Sequence, residues 1–330
     1  MNYDIITIGG AVEDITFYTD DGIVIDNKQD VLRQRLLAFE YGAKIRVREA
    51  HTTFGGGAAN VAVSASRLGL KTACVCAVGD DARGKSIIAN LAAHHVNTQF
   101  VQTVKGEMSG FSFLLVGPGN EHVIFSHRAA NTKLSIPAQL FKNNQTIWVY
   151  ITSLSGNWQK ALKAVFSRNQ NFKIAWNPGG IQLRDGQREI RQYLKYTEVI
   201  IMNEDEATEL VAADRKVMAG YKESARFLGE IKNLLSVIKS YGPEIVMITR
   251  GKKGADAYDG RKFYHLGIKH ESKRVDTTGV GDAFGSSFVC GLKLYNGDIA
   301  KAMELGMRNA ASVISKQGAQ NGLLSGSAVK

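Results

Sequence analysis

Short, largely apolar runs recur along this chain from residue 147 onward, at residues 147–151, 172–176, 199–202 and 245–249. Between them, apolar residues return at helical spacing. A run of that length with no polar alternation reads as a strand buried on both faces. Buried strands alternating with helical patterns imply βαβ units, and therefore a parallel sheet with helices packed on it. Residues 5–8 form one more such run and end in Gly9-Gly10, which predicts a buried first strand. Long helical patterns at 283–294 and 299–315 close the chain. The expectation is an α/β fold with a doubly wound, mostly parallel sheet between two layers of helices.

Other segments do not fit that sheet. Residues 22–26 and 36–47 mix charged and apolar residues and read as exposed strands. Residues 111–116 and 122–126 flank Gly117-Pro118-Gly119-Asn120, a hairpin signal. These half-polar strands predict a small separate β-sheet, or lid, from segments 16–52 and 105–128 inserted into one domain spanning 1–330. Between them, Gly55-Gly56-Gly57 opens a small-residue helix at 58–68, followed by a strand at 71–78 and a helix at 86–94.

Composition narrows the class. With 44% hydrophobic and 22% charged residues, the chain can bury a sizeable core and is not a disordered protein. The net charge of +10 is scattered, without long basic runs, which suits anionic small substrates rather than nucleic acid. The three cysteines Cys74, Cys76 and Cys290 cannot build a disulfide framework; Cys74 and Cys76 are expected to share one strand face as small core residues. The seven histidines lack metal-ligand spacing. With no signal peptide and no apolar stretch near the roughly 18 residues of a membrane span, a soluble cytoplasmic protein is expected.

Residues 79–86 fit the pattern G-x-x-x-x-G-K-[ST] of a phosphate-binding loop. However, Asp80 and Asp81 would place two negative charges inside the cradle, where they would repel a triphosphate. The strands downstream run into Asn177, Asn203 and Thr249, none of them the Asp needed on the Mg²⁺ side. A strand-to-helix turn with an acidic rim is the better reading.

The segment richest in chemistry is residues 276–285, Asp-Thr-Thr-Gly-Val-Gly-Asp-Ala-Phe-Gly. Gly279, Val280 and Gly281 present unobstructed backbone N–H groups at a helix start, an anion site strengthened by the helix dipole. Asp282 stands at the same place. A carboxylate beside bound phosphate is costly for pure binding, but it suits a base taking the proton of an attacking hydroxyl. The competing reading is a helix N-cap with glycines for packing.

Together with Gly55-Gly56-Gly57-Ala58-Ala59-Asn60, this segment resembles the PfkB, or ribokinase-like, family of carbohydrate kinases. Gly56, Ala58, Asn60, Gly69 and Gly79 satisfy the first family signature and 276–288 the second, with departures at Val280 and Ser287. Three further pieces fall in family order: Gly9 followed by Asp14, the N-x-x-E motif at Asn203–Glu206, and the T-x-G-x-x-G loop carrying Thr249, Gly251 and Gly254. Residues 79–84 match the family's G-x-D-x-x-G turn.

The resemblance implies an ATP-dependent kinase acting on a hydroxymethyl group of a sugar or nucleoside. It implies that Asp14, Gly56, Gly57 and Asn60 hold the acceptor, while Asn203 and Glu206 organise Mg²⁺ and phosphates. Asn177 is expected on the phosphate path. Arg128 and Asn131 either meet the acceptor or are solvated lid groups, and Asn309 either lies by the adenine or is an ordinary helix residue. The family also implies a lid closing over the acceptor, dimerisation through the lid sheets, and a K⁺ site beside Asp276 and Thr278. Ribokinases commonly carry Lys in the glycine run where Gly57 stands here; this weakens ribose and leaves fructose, other ketoses or a nucleoside open. A nucleoside would need an aromatic lid face, for which Phe39, Tyr41, Phe111 and Phe113 are candidates, or these are lid core. A phosphate-loop NTPase and a non-catalytic nucleotide-binding regulator are the readings from other classes.

Overall fold

The apolar runs become the strands of one eight-stranded sheet in the computed structural model, which describes residues 1–27, 35–118, 122–137, 139–142, 144–167, 171–220, 224–268 and 274–328. Its strand order is β16 (Phe263–Leu266), β15 (Ala255–Tyr258), β14 (Ile245–Thr249), β13 (Val199–Asn203), β12 (Lys173–Trp176), β11 (Gln145–Ile151), β1 (Asn2–Ile8) and β6 (Thr72–Val75). From β14 to β6 all pairings are parallel; β15 and β16 add an antiparallel edge.

Period-two alternation explains why the runs are continuously apolar. In β13, Ile200 and Met202 face one helix layer, and Val199 and Ile201 face the other. The first layer contains α3 (Trp158–Phe166), α4 (Gly180–Leu194), α5 (Glu204–Ala212), α7 (Ser224–Gly229) and α8 (Ile231–Ser240), with α6 (Arg215–Met218) between. The second contains α1 (Gly57–Arg67), α9 (Val280–Leu294) and α10 (Ile299–Val313), with α2 (Ala82–Ala93) packed beside α1.

A second, four-stranded sheet has the order β10 (His122–His127), β9 (Phe111–Val116), β2 (Val12–Tyr18) and β5 (Glu49–Gly55). It takes in Val12 to Ile15, before the expected boundary at 16, so Asp14 belongs to the small sheet itself. Its β9 and β10 pair antiparallel as a hairpin, while the turn at 119–121 lies outside the described residues. A two-stranded pair, β3 (Ile23–Asp26) with β4 (Arg35–Ala38), stands beside it.

Three expectations are corrected. The strand expected at 36–47 is regular only to Ala38. The strand expected at 71–78 breaks at Cys76: β6 joins the large sheet, and β7 (Ala77–Gly79) pairs with β8 (Gln102–Val104). Cys74 and Cys76 are nevertheless both buried and free. The helix expected at 86–94 begins at Ala82, because Asp81 caps it through the Gly84 N–H at 2.8 Å. Among the described residues, no helix is long and apolar enough to cross a membrane.

Candidate active site

The site forms at the carboxyl ends of the parallel strands, where α/β sheets open a crevice. Helix α9 enters through Gly279, whose φ of 74° is left-handed. A Cβ there would lie 2.3 Å from the Ala319 Cβ, so this position admits only glycine. Val280, Gly281 and Asp282 form the first helical turn, whose N–H groups have no partner within the helix. From Ala283 to Leu292 the helix is buried, which fixes its axis. The preceding turn is tied down by Asp276: Oδ1 accepts the Thr278 N–H at 2.8 Å, and Oδ2 accepts Gly318 N–H at 2.9 Å and Gln317 Nε2 at 3.2 Å.

Asp282 accepts a hydrogen bond from Asn60 Nδ2 at 2.8 Å. Desolvation pushes its carboxyl above the ordinary value, and the Asn60 amide pulls it partly back. Asn60 is itself buried, and its Oδ1 accepts Gln320 Nε2 at 2.9 Å. The residue expected to hold acceptor hydroxyls thus has both ends of its amide engaged and stands behind Asp282.

Asp14 faces the same space from β2. Its carboxyl is pushed up to about 6, chiefly by burial; Ser112 lowers it, and the charges of Asp276, Asp282 and Glu13 raise it. Gly56 caps α1 at φ 90°, with its Cβ position 2.6 Å from Gly10 O and Ala11 Cα, so the helix start abuts the end of β1. Gly57 packs against Thr152. Asn131 is buried and clamps one backbone unit: Oδ1 accepts Ala11 N–H and Nδ2 donates to Ala11 O, both at 3.0 Å. It is neither a solvated group nor free for an acceptor. Arg128 is exposed.

On the other side of α9 lies a cavity of about 380 Å³. Asn203, Thr249, Gly251, Gly254, Val280 and Gly281 all line it, bringing together residues from three motifs. Its apolar wall comes from Ile268, Phe284, Met307 and Ile314, with Lys252 and Arg274 adding positive charge. Sequence reasoning missed most of this wall, because α10 and the 268–274 region carry no motif; Lys252 was findable inside the T-x-G-x-x-G loop. Also unforeseen is Arg250, which donates to Glu204 Oε1 at 3.1 Å and to Asp256 Oδ2 at 3.2 Å, holding that loop against α5.

Two expected nucleotide residues stand elsewhere. Asn309 is fully buried: its Nδ2 donates to Ser287 Oγ at 2.6 Å and Ser64 Oγ at 3.2 Å, and its Oδ1 accepts Leu324 N–H at 2.8 Å. Placement beside the adenine is corrected to a polar tie between α1, α9 and α10. Asn177 Nδ2 donates to Ile201 O at 2.9 Å, joining the ends of β12 and β13, and it is outside the cavity lining.

Asn203 and Glu206 form a reciprocal capping box on α5, Glu206 N–H to Asn203 Oδ1 at 2.8 Å and Asn203 N–H to Glu206 Oε2 at 2.9 Å. Burial raises the Glu206 carboxyl; the Asn203 bond lowers it, and Glu209, Asp205 and Asp282 raise it. The capping box uses Oε2, and Oε1 stands outside it. Among the described residues, no group of three or more His, Cys, Asp or Glu could hold a metal. The Glu206 carboxylate is a hard oxygen donor, of the kind that suits Mg²⁺ rather than a soft metal.

The phosphate-loop reading fails on geometry. Asp81 Oδ1 accepts Ser109 Oγ–H at 2.6 Å and its Oδ2 accepts Ser109 N–H at 2.9 Å, while both Asp80 oxygens accept Gly106 N–H at 3.1 Å. The turn's acids are used to tie it to 106–109, and Lys85 is an exposed helix residue.

Residues 23–325 match the pfkB family carbohydrate kinase. The chain is 30% identical over 277 residues to a ribokinase of Haemophilus influenzae, covering 82% of this chain and 84% of that protein. It is 26% identical over 320 residues to an ATP-dependent 6-phosphofructokinase of Thermoanaerobacterium thermosaccharolyticum, covering 89% and 91%. The crystal structure of a Methanocaldococcus jannaschii nucleoside kinase, described as an archaeal member of the ribokinase family, superposes with a TM-score of 0.76 at 20% identity, over 99% of this chain and 96% of that one, and shows the shared fold.

Proposed function

The chain belongs to the pfkB family of carbohydrate kinases and is an ATP-dependent kinase; on that premise we propose that it phosphorylates a hydroxymethyl group of a sugar, with Asp282 as general base. One observation carries this reading: Asp282 is held at the amide-lined start of α9, between the nucleotide cavity and the acidic face of the small sheet.

Asp14 accepts hydrogen bonds from acceptor hydroxyls, beside the start of α1 that Gly56 and Gly57 bring against the end of β1 and Thr152. Asp282 takes the proton of the attacking hydroxyl as its oxygen bonds to the γ-phosphorus and the bond to the β-phosphate oxygen breaks, releasing ADP. The N–H groups from Gly279 to Asp282 stabilise the charge on the transferring group. Mg²⁺, when bound, neutralises phosphate charge; Glu206, oriented by Asn203, would hold it through water. K⁺ beside Asp276 and Thr278 belongs to the proposal as an effect on the turn before α9, read as a faster rate in K⁺ than in Na⁺.

A sugar is favoured over a nucleoside by the register of the small sheet. Around Asp14, the same face carries the polar Thr16, Thr53, His51 and Ser112 with Val12, Leu114 and Tyr18, the last tied by its hydroxyl to Gln317. Phe111 and Phe113 pair with Glu13 and Ile15 and so lie on the opposite face, where Phe113 stacks on Phe17 at 5.8 Å. Phe39 packs against Gly22, and Tyr41 is fully exposed. No described aromatic residue of the four candidates is therefore placed to hold a base over Asp14. The outer aromatic face, continued by Val123 and Phe125, supports a homodimer through the sheets, with the small sheet acting as a lid on one 1–330 domain. The free buried cysteines suit a reducing cytoplasm. ADP release across a panel of ketoses, aldoses and nucleosides tests the assignment: turnover with a sugar is expected, and turnover confined to nucleosides overturns it.

A further inference from the structure

Gln320 belongs to no motif, yet it is 5% exposed and lies between the proposed base and α2. A chain of side-chain amides runs through it: Asn90 Nδ2 donates to Gln320 Oε1 at 2.9 Å, Gln320 Nε2 to Asn60 Oδ1 at 2.9 Å, and Asn60 Nδ2 to Asp282 Oδ2 at 2.8 Å. The direction is forced from one end. An ionised carboxylate only accepts, so Asn60 must turn its NH₂ group toward Asp282. Its buried oxygen then needs a donor, which Gln320 supplies, and the Gln320 oxygen needs Asn90 in turn.

The backbone around Gln320 is anchored as well. Its carbonyl accepts Arg67 Nη1 at 3.4 Å. Gly318 and Gln317 bind Asp276, and Ala319 packs on Gly279. One segment after α10 thus grips both the turn before α9 and the residue behind Asp282.

We propose that Gln320 is a positioning residue for phosphoryl transfer: it fixes the amide of Asn60 so that its NH₂ group faces Asp282 and holds that carboxylate at the start of α9. This rests on Asp282 being the base. Without the Gln320 donor, the buried Asn60 Oδ1 loses its partner and the amide is no longer held from behind. The hydrogen bond from Asn60 Nδ2 that favours the ionised form of Asp282 then loosens, and the proton transfer slows.

Two variants separate orientation from packing. Gln320→Met keeps the length and removes the donor. Gln320→Glu keeps the shape and the Asn90 bond but puts an acceptor against Asn60 Oδ1. Both are measured with saturating acceptor over a pH series, with ATP affinity and melting temperature alongside. The other titratable groups around Asp282 are Asp14 on β2, Glu206 on α5 and Tyr150 on β11, and neither variant alters them.

The expected result is a kcat lowered roughly tenfold or more, the scale of one hydrogen bond to a charged group, with KM for ATP unchanged. The acid limb of the kcat–pH profile moves to higher pH, because the Asn60 donor no longer favours the ionised carboxylate. Gln320→Glu loses more than Gln320→Met. If neither variant folds, Asn90→Ala at the partly exposed outer end carries the test, with the same direction and a smaller loss. A wild-type kcat and an unmoved acid limb in the folded variants, alongside an inactive Asp282→Asn, overturn the relay. An active Asp282→Asn overturns the base assignment instead.

Discussion

The two sides of the proposed site, one for phosphate and one for the acceptor, are built on different scaffolds. The phosphate side rests on α9, buried from Ala283 to Leu292 and packed against both α1 and α10. The acceptor side rests on a small sheet whose strands are largely half-buried or exposed, such as β9 with one buried residue in six. Charge stabilisation in phosphoryl transfer depends on donors already in place. Acceptor binding needs an element that admits the sugar and then covers it, and such elements come from the less stable parts of a fold. The two sides meet where the Tyr18 hydroxyl of β2 donates to Gln317 Oε1 at 2.8 Å and where Gly318 lies against Thr53 of β5.

The largest test of this division is Asp282→Asn. The N-cap of α9 is Gly279, not Asp282, and Asn keeps the size of Asp and an oxygen for Asn60 Nδ2, so the melting temperature should stay near that of the parent. The rate should fall by roughly 10²–10⁴, the usual worth of a general base, while ATP binding persists. A near-normal kcat with saturating acceptor would place the chemistry elsewhere. On the acceptor side, Asp14→Asn should raise KM for the acceptor by roughly tenfold, the scale of one charge-assisted hydrogen bond, and leave KM for ATP alone. An equal rise in both would erase the comparison.

Asp14 also gives the acceptor side a pH dependence of its own. Its folded-state carboxyl sits at about 6, above its unfolded value. As pH falls through about 6 the carboxylate is protonated and accepts hydroxyls less well, so the acceptor KM should rise while ATP affinity stays level. For folding, the sign is opposite: the native state holds this proton more tightly than the unfolded chain, so its contribution to stability falls as pH rises from about 4 to about 6. Melting curves of the free enzyme should show that slope, and Asp14→Asn should remove it.

Smaller effects mark the borders. Tyr18→Phe removes the bond from the small sheet to Gln317 in the segment after α10 and should change the acceptor KM by a few-fold, about the worth of one neutral hydrogen bond. Phe125→Asp, on the outer face where that ring is 58% exposed, should leave turnover in place and convert dimer to monomer in light scattering. Lys85→Ala should do almost nothing, and a loss of about a hundredfold, the scale of one electrostatic stabiliser, would restore the phosphate-loop reading.

Much of the site was legible because its motifs are local. Gly279 to Asp282 are consecutive, and a helix start with exposed amides is an anion site wherever it occurs. The Asn203 and Glu206 spacing also encoded its own geometry, a capping box. The wall of the nucleotide cavity was not legible, since Met307 and Ile314 look like any other apolar helix positions. Nor were the roles of Asn131 and Asn309. A buried amide and a ligand-facing amide have the same letter, and only the neighbours that satisfy it distinguish the two.

The sequence by itself determined the layers. Apolar runs alternating with helical patterns can bury their surface only as a parallel sheet between helices, and glycines at a helix start leave N–H groups bare. The tertiary structure decided which face of each small-sheet strand meets the site, which asparagine stands behind Asp282, and that a segment more than thirty residues beyond Asp282, at Gln317–Gln320, holds both the turn before α9 and Asp282's partner. Hydrogen-bond partners so distant in sequence leave no periodicity to read, because they are chosen by packing in three dimensions and by the need of each buried polar atom for a partner.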